Sequence, residues 1–256
     1  VIDKYDPDLV YFDNKMDIIK EQTRLDFLSY YYNQAEKKSQ DVVVTYKFHD
    51  LAKGSAVLDL ERSRMSEKKD FPWLTDDSID WDSWSHTTKP NYKSANRLID
   101  FLVDVVSKNG AVLLNITPTA QGIIPDPVRE RLLEVGQWLK VNGEAIYGSR
   151  TWHTYGEGPA EVIEGHLSEF KNKDNTEHDI RFTTNNGYLY ATILAWPTQA
   201  IEIKALAKGA ENISDIELLG SSEKLQWQQN AQALVIDAPK HKVGKHAFVF
   251  KITKEK

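Results

Sequence analysis

The sequence predicts an α/β chain, part of a (β/α)8-like barrel followed by an antiparallel β-sandwich domain. Two hydrophobic periods in succession carry that reading. From residue 8 to about 147, short apolar runs alternate with helical stripes, as buried parallel strands do with their crossover helices. After about Trp152 the pattern becomes period 2, interrupted by turns at regular intervals, as in antiparallel sheet. The expected division is residues 1–150 for the C-terminal part of the barrel and 151–256 for the sandwich. Gly148, Gly156, Gly158 and Pro159 cluster at that junction.

The elements follow in order. Val1 to Tyr5 reads as the end of a helix, and Leu9-Val10-Tyr11-Phe12 as a strand buried on both faces. A helix is expected from Asp17 to about Glu36, with Leu25, Phe27, Leu28, Tyr31 and Tyr32 at helical spacing and Asp17 as its cap. Val42-Val43-Val44 is the next strand. Leu98, Ile99, Leu102, Val103 and Val106 mark a helix from about Ser94 to Ser107, stopped by Asn109-Gly110. Ala111 to Leu114 is another buried strand. A further helix takes Asp126 as N-cap and Pro127 as its first residue, and ends at Asn142-Gly143. In the second region Asn185-Asn186-Gly187 predicts a hairpin turn between strands around Phe182 and Tyr188 to Leu194. Strands also follow at Ile201–Ile203, Ile216–Leu218, Leu225–Trp227, Leu234–Ile236 and Ala247–Phe250.

Composition narrows the function classes. The 256 residues carry 32 Lys+Arg against 38 Asp+Glu, a net charge of −6, so no clustered basic face for nucleic acid is expected. No apolar run approaches the roughly 20 residues that cross a bilayer. Without cysteine, thiolate nucleophiles and cysteine–metal sites are excluded, and the seven histidines lack metal-ligand spacing. No metal and no cofactor is expected. Seven Trp and 11 Tyr supply the flat faces that sugar-stacking proteins use.

Reacting groups of a β/α barrel sit at the C-terminal ends of its strands. Asp13 is placed there, directly after the first strand, either as a loop cap or as a reacting carboxylate. The long segment from Gly54 to His86 is rich in carboxylates and indoles, and connections of that length are usually functional or disordered. Its three Trp argue against disorder. Glycoside hydrolysis needs two carboxyl groups flanking one bond, and Asp13 and Glu61 could converge that way from successive strand ends. For Glu61 the plain alternative is an ion pair with Arg62 or Arg64. For Trp73 and Trp84 it is hydrophobic packing in a lid.

The run Asn109-Gly110-Ala111-Val112-Leu113-Leu114-Asn115-Ile116-Thr117-Pro118-Thr119-Ala120-Gln121-Gly122 continues into Trp138-Leu139-Lys140-Val141-Asn142-Gly143-Glu144-Ala145-Ile146-Tyr147-Gly148. This stretch, with Val1 to Asp13, resembles the α-L-fucosidases of glycoside hydrolase family 29. The resemblance implies a retaining exo-glycosidase that removes terminal α-L-fucose through a covalent glycosyl-enzyme intermediate. Asp13 would be its nucleophile and Glu61 its general acid and base, with Glu67 as the fallback. Trp84, Trp73, Lys47, Tyr46 and His86 would contact the sugar. Departures from the family pattern stand at Asn14, at Ser85-His86 and at Tyr46-Lys47.

The resemblance further implies an N-terminal half of the same enzyme, missing from this chain, as a partner. It also implies a fucosylated glycan as substrate and a secreted, periplasmic or lysosome-like setting. Two other readings stay open: a non-catalytic glycan-binding protein on the same scaffold, and a hydrolase for another 6-deoxy or galacto-configured sugar. Asn115-Ile116-Thr117 and Asn212-Ile213-Ser214 match the glycosylation acceptor pattern.

Overall fold

The computed structural model describes residues 1–255. Its first layer is a parallel sheet of five strands in sequence order: β1 (Leu9–Tyr11), β2 (Val43–Lys47), β3 (Val57–Glu61), β4 (Trp73–Ser78) and β5 (Gly110–Asn115). A short helix α1 (Ile2–Tyr5) precedes β1, and α2 (Glu21–Lys37) makes the crossover from β1 to β2. α2 begins later than the sequence suggests. Asp17 lies in a separate 3-10 turn, Met16–Ile18, and the residue before α2 is Lys20.

The segment from Gly54 to His86 is not one long loop, because it contains β3 and β4. Neither strand is an unbroken apolar run. β3 alternates leucine with carboxylates, as strands do when one face lines a polar interior, and β4 carries Asp76 and Asp77 side by side. β1 and β5 are the two edges of the sheet, so the expectation that both are buried fails. Leu9 and Leu113 are each nearly half exposed.

Helix α3 (Ala95–Ser107) starts where expected, with the Ser94 hydroxyl accepting from the Arg97 N–H at 3.1 Å. Its Phe101 and Val105 pack with Trp73, whereas Ile99 and Val103 pack with residues of the second layer. Helix α4 (Asp126–Asn142) has Pro125, rather than Asp126, in the cap position. Gly110, which opens β5, has no room for a side chain. A Cβ there would lie 2.6 Å from both the Trp73 ring and Val105.

The second layer is antiparallel. β6 (Arg150–Glu157), β7 (Ile180–Asn185), β8 (Tyr188–Ile193), β10 (Ile213–Leu218) and β13 (Phe248–Lys254) pair in the order β10-β13-β8-β7-β6. β9 (Ile201–Ile203), β11 (Trp227–Gln229) and β12 (Leu234–Ile236) form a smaller sheet. β6 runs through the glycine-rich junction. The β7–β8 hairpin turns at Asn186 (φ 49°) and Gly187 (φ 84°), both left-handed as a type I′ turn requires.

The period of 2 explains where the core lies. Leu189, Ala191 and Ile193 of β8 face the small sheet together with Phe182, Phe250 and Ile252. Tyr190 of β8 and Val249 of β13 point the other way and pack with Ile99, Val103 and Trp138. The Trp138 indole donates to the Ala247 carbonyl at 2.7 Å. α3 is thus wedged between the two layers. At its C-terminal end Asp104, whose side chain is fully buried, meets Arg181 at 2.5 Å, Lys108 at 2.8 Å and Arg64 at 3.3 Å. Among the described residues no helix is long and apolar enough to cross a membrane.

Candidate active site

Parallel strands end on the same side of their sheet, and alternate residues face the same way. On the inner face near the C-terminal ends these are Tyr11 on β1, Lys47 on β2, Asp59 and Glu61 on β3, and Asp76 on β4, with Asp13 just past β1. Lys47 stands opposite Asp59 in the β2–β3 register, and Glu61 stands opposite Asp76 in the β3–β4 register. The Lys47 side chain is only 1% exposed, and its Nζ touches four carboxylates. Asp76 lies at 2.9 Å, Asp59 and Glu61 at 3.4 Å, and Asp13 at 3.6 Å.

The electrostatics follow from that crowding. Burial works against the Lys47 charge, but Asp76, Asp59 and Glu61 outweigh it and hold the ammonium above its ordinary pKa. Asp59 is enclosed and accepts the Tyr11 hydroxyl at 2.5 Å and the Asp76 backbone N–H at 3.1 Å. Burial, followed by the bond to Asp59, pushes the Tyr11 phenol far up, so it stays a donor. Asp76 is pushed up to about 6, first by burial and then by the Asp59 charge, against the pull of Lys47.

Asp13 is mostly exposed and Glu61 partly so. Their oxygens lie 3.6 Å and 3.4 Å from one nitrogen atom, which bounds their separation at about 7.0 Å. Glu61 does not pair with its sequence neighbours. Arg64 goes to Glu169 at 3.0 Å and to Asp104. The Arg62 guanidinium lies 4.4 Å from the Trp84 ring centre and donates to the Trp81 carbonyl at 2.6 Å. Trp84, 37% exposed, lines a cavity of about 500 Å³ with Tyr11, Asp76, Leu113 and Asn115. The Asn115 amide donates to the Trp84 carbonyl at 2.7 Å, tying the indole's loop to β5.

Four sequence candidates fall elsewhere. Trp73 opens β4 at the far end of the strand, is buried, and donates its indole N–H to the Lys108 carbonyl at 3.0 Å. It is core, not lid. Tyr46 faces away from Lys47 and packs with Leu28, Tyr31 and Val44 against α2. His86 is exposed and joins neither the carboxylate cluster nor the cavity lining. Glu67 is exposed near Tyr155, on the side facing the second layer. Sequence reasoning missed Tyr11, Asp59, Asp76 and Asn115. Position near the C-terminal end of Trp73–Ser78 was the available signal for Asp76, once that stretch is read as a strand. Among the described residues no group of three or more His, Asp or Glu is arranged to hold a metal ion.

Comparison with known proteins adds to this geometry. A family model described as alpha-L-fucosidase matches residues 1–144, and one described as alpha-L-fucosidase C-terminal domain matches residues 172–253. Tissue alpha-L-fucosidase of Rattus norvegicus is 28% identical over 266 residues, covering 99% of this chain and 54% of the relative. Plasma alpha-L-fucosidase of the same organism is 30% identical over 225 residues, covering 84% of this chain and 45% of the relative. The solved structure of Thermotoga maritima alpha-fucosidase superposes with a TM-score of 0.75 at 25% identity, over 98% of this chain and 54% of that one. The chain spans about half the length of the curated relatives it matches.

Proposed function

The chain belongs to the alpha-L-fucosidase family, and from that membership we propose that it carries the reacting carboxylates of a retaining exo-glycosidase acting on terminal α-L-fucosides. One observation carries the proposal: a single buried ammonium, Lys47 on β2, gathers Asp13 and Glu61 from the C-terminal ends of β1 and β3, the strands on either side of its own. Retaining glycosidases hold their two carboxyl groups about 5–5.5 Å apart, inside the bound set by those contacts.

In this reading residues 1–150 are the C-terminal part of the catalytic barrel and 151–256 the β-sandwich. An N-terminal half of the same enzyme completes the barrel over the open edges of β1 and β5. Asp13 attacks the anomeric carbon, and a protonated carboxyl of the Lys47 cluster gives its proton to the leaving oxygen. Glu61 is the carboxyl that the sequence points to. Water then releases the sugar with its configuration retained. Trp84 offers its face to the apolar side of the sugar, and the Arg62 guanidinium beneath fixes the ring's position. A secreted, periplasmic or lysosome-like setting fits the plasma relative.

The test is turnover of an aryl α-L-fucoside by the full-length protein that carries this chain. Asp13→Asn is expected to abolish it while leaving the thermal transition in place. A normal rate in that variant refutes the assignment. Binding of fucosides with no hydrolysis by the unmodified protein refutes the enzyme reading and favours a glycan-binding role.

A further inference from the structure

The Lys47 cluster holds one ammonium and four carboxyl groups, which leaves it with more acids than its cation can neutralise. Asp59 is the most enclosed member. It is fully enclosed and accepts the Tyr11 hydroxyl, the Asp76 backbone N–H and a contact from Lys47. Asp13 stands largely in solvent. Glu61 and Asp76 remain, opposite each other on β3 and β4 and bound to the same nitrogen. Of these two, Asp76 is the carboxyl that burial, and then the Asp59 charge, push up.

Of the four acids touching Lys47, Asp76 is the one that lines the cavity with Trp84, Tyr11 and Asn115. Its oxygen is 2.9 Å from the nitrogen that lies 3.6 Å from Asp13, so the two carboxyls are no more than about 6.5 Å apart. We propose that Asp76, rather than Glu61, is the acid that protonates the leaving oxygen, with Lys47 and Glu61 positioning it. The inference rests on the fucoside-hydrolase reading given above. The groups facing Asp76 from the neighbouring strands are Asp59, Glu61, Lys47 and Tyr11. Burial and the Asp59 charge keep its proton on up to about pH 6, near the range where a general acid is effective.

The step balances. An Asp13 oxygen bonds to the anomeric carbon as the bond to the leaving oxygen breaks, and that oxygen takes the bonding pair and the Asp76 proton. In the second step a water oxygen bonds to the same carbon, its proton returns to Asp76, and the pair from the broken ester bond returns to Asp13.

The experiment compares Asp76→Asn, Asp76→Ala and Glu61→Gln in the full-length protein, with 2,4-dinitrophenyl and methyl α-L-fucosides as substrates. A dinitrophenolate leaves without a proton, whereas methanol needs one. Loss of the acid should therefore lower kcat/KM by about 10³-fold for the methyl glycoside, and by tenfold or less for the activated one. Azide should accelerate Asp76→Ala and give α-L-fucosyl azide, because it replaces water on the face that the acid serves. That product also shows the variant to be folded. The opposite pattern, with leaving-group dependence and azide rescue in Glu61→Gln but not at Asp76, overturns the inference and leaves the fucosidase reading standing. Failure of the unmodified protein to cleave the dinitrophenyl fucoside overturns both.

Discussion

Replacing Asp104 by Asn removes a fully buried carboxylate while keeping its shape. Three cations depend on it: Arg181 at 2.5 Å, Lys108 at 2.8 Å and Arg64 at 3.3 Å. Burial alone would raise the Asp104 pKa, but the charges of Arg181, Arg64 and Lys108 outweigh it and hold the group well below the usual carboxylate range. Arg64 keeps Glu169 as a partner, whereas Arg181 keeps only backbone carbonyls. Lys108, already lowered to about 8 by burial, would lose its proton near neutrality. Arg181 has no such escape, because guanidinium stays charged. Breaking a buried pair from one side costs about 3–5 kcal/mol. At roughly 2–4 °C per kcal/mol for a chain of this size, the thermal midpoint should fall by about 6–20 °C at pH 7. Unfolding followed by circular dichroism measures it. Asp174→Asn is the control, since that carboxylate is 89% exposed in its 3.3 Å pair with Arg97, and its change should stay within about 0.5 kcal/mol. A midpoint for Asp104→Asn within about 2 °C of the unmodified protein would refute the view that this carboxylate joins α3 to its surroundings.

Asp100 supplies a pH-dependent counterpart. Burial pushes its carboxyl up to about 7, against the pull of Arg64 and Arg97 and a hydrogen bond from Asn175. Its folded pKa lies above the unfolded value of about 3.9, so the stability it contributes is complete below that value and lost as pH rises through about 7. Asp100→Asn should therefore gain thermal stability over the unmodified protein at pH 8 and none at pH 4; equal shifts at both would contradict the sign. Gly110→Ala forces a methyl against Trp73 and Val105 and should cost about 1–3 kcal/mol in denaturant unfolding.

Parts of this fold were legible because local chemistry and tertiary packing agree. Ser94 caps α3, the apolar stripe of that helix is broad, and Asn186-Gly187 can adopt the left-handed pair that its hairpin demands. β3 and β4 were hidden for the opposite reason. Their inward residues near the C-terminal ends are the carboxylates around Lys47, and residues 48–56 and 62–72 connect β2, β3 and β4 without a helix. A strand that alternates Leu with Asp and Glu looks like solvated loop until its partner strands are known. Trp73 misled for a similar reason, since an indole is at home in a core once its N–H finds a carbonyl. Asp13 could be singled out because it follows the apolar run of β1, whereas Glu61 came from the family resemblance rather than from a recognised strand. Lys47 was named as a sugar contact, but its burial among four carboxylates was not legible, because a solvent-facing lysine is the ordinary expectation.

The wedged position of α3 bears on how freely the two halves of this chain could be exchanged between proteins. A cut near residue 148 would separate Asp104 from Arg181 and strip Ile99 and Val103 of Tyr190 and Val249. The upstream fragment would then present bare aliphatics and an acid short of one of its three cations, and the downstream one an arginine without its counter-ion. Grafting either piece onto a foreign neighbour therefore means transplanting the seam as a set, rather than choosing a convenient linker.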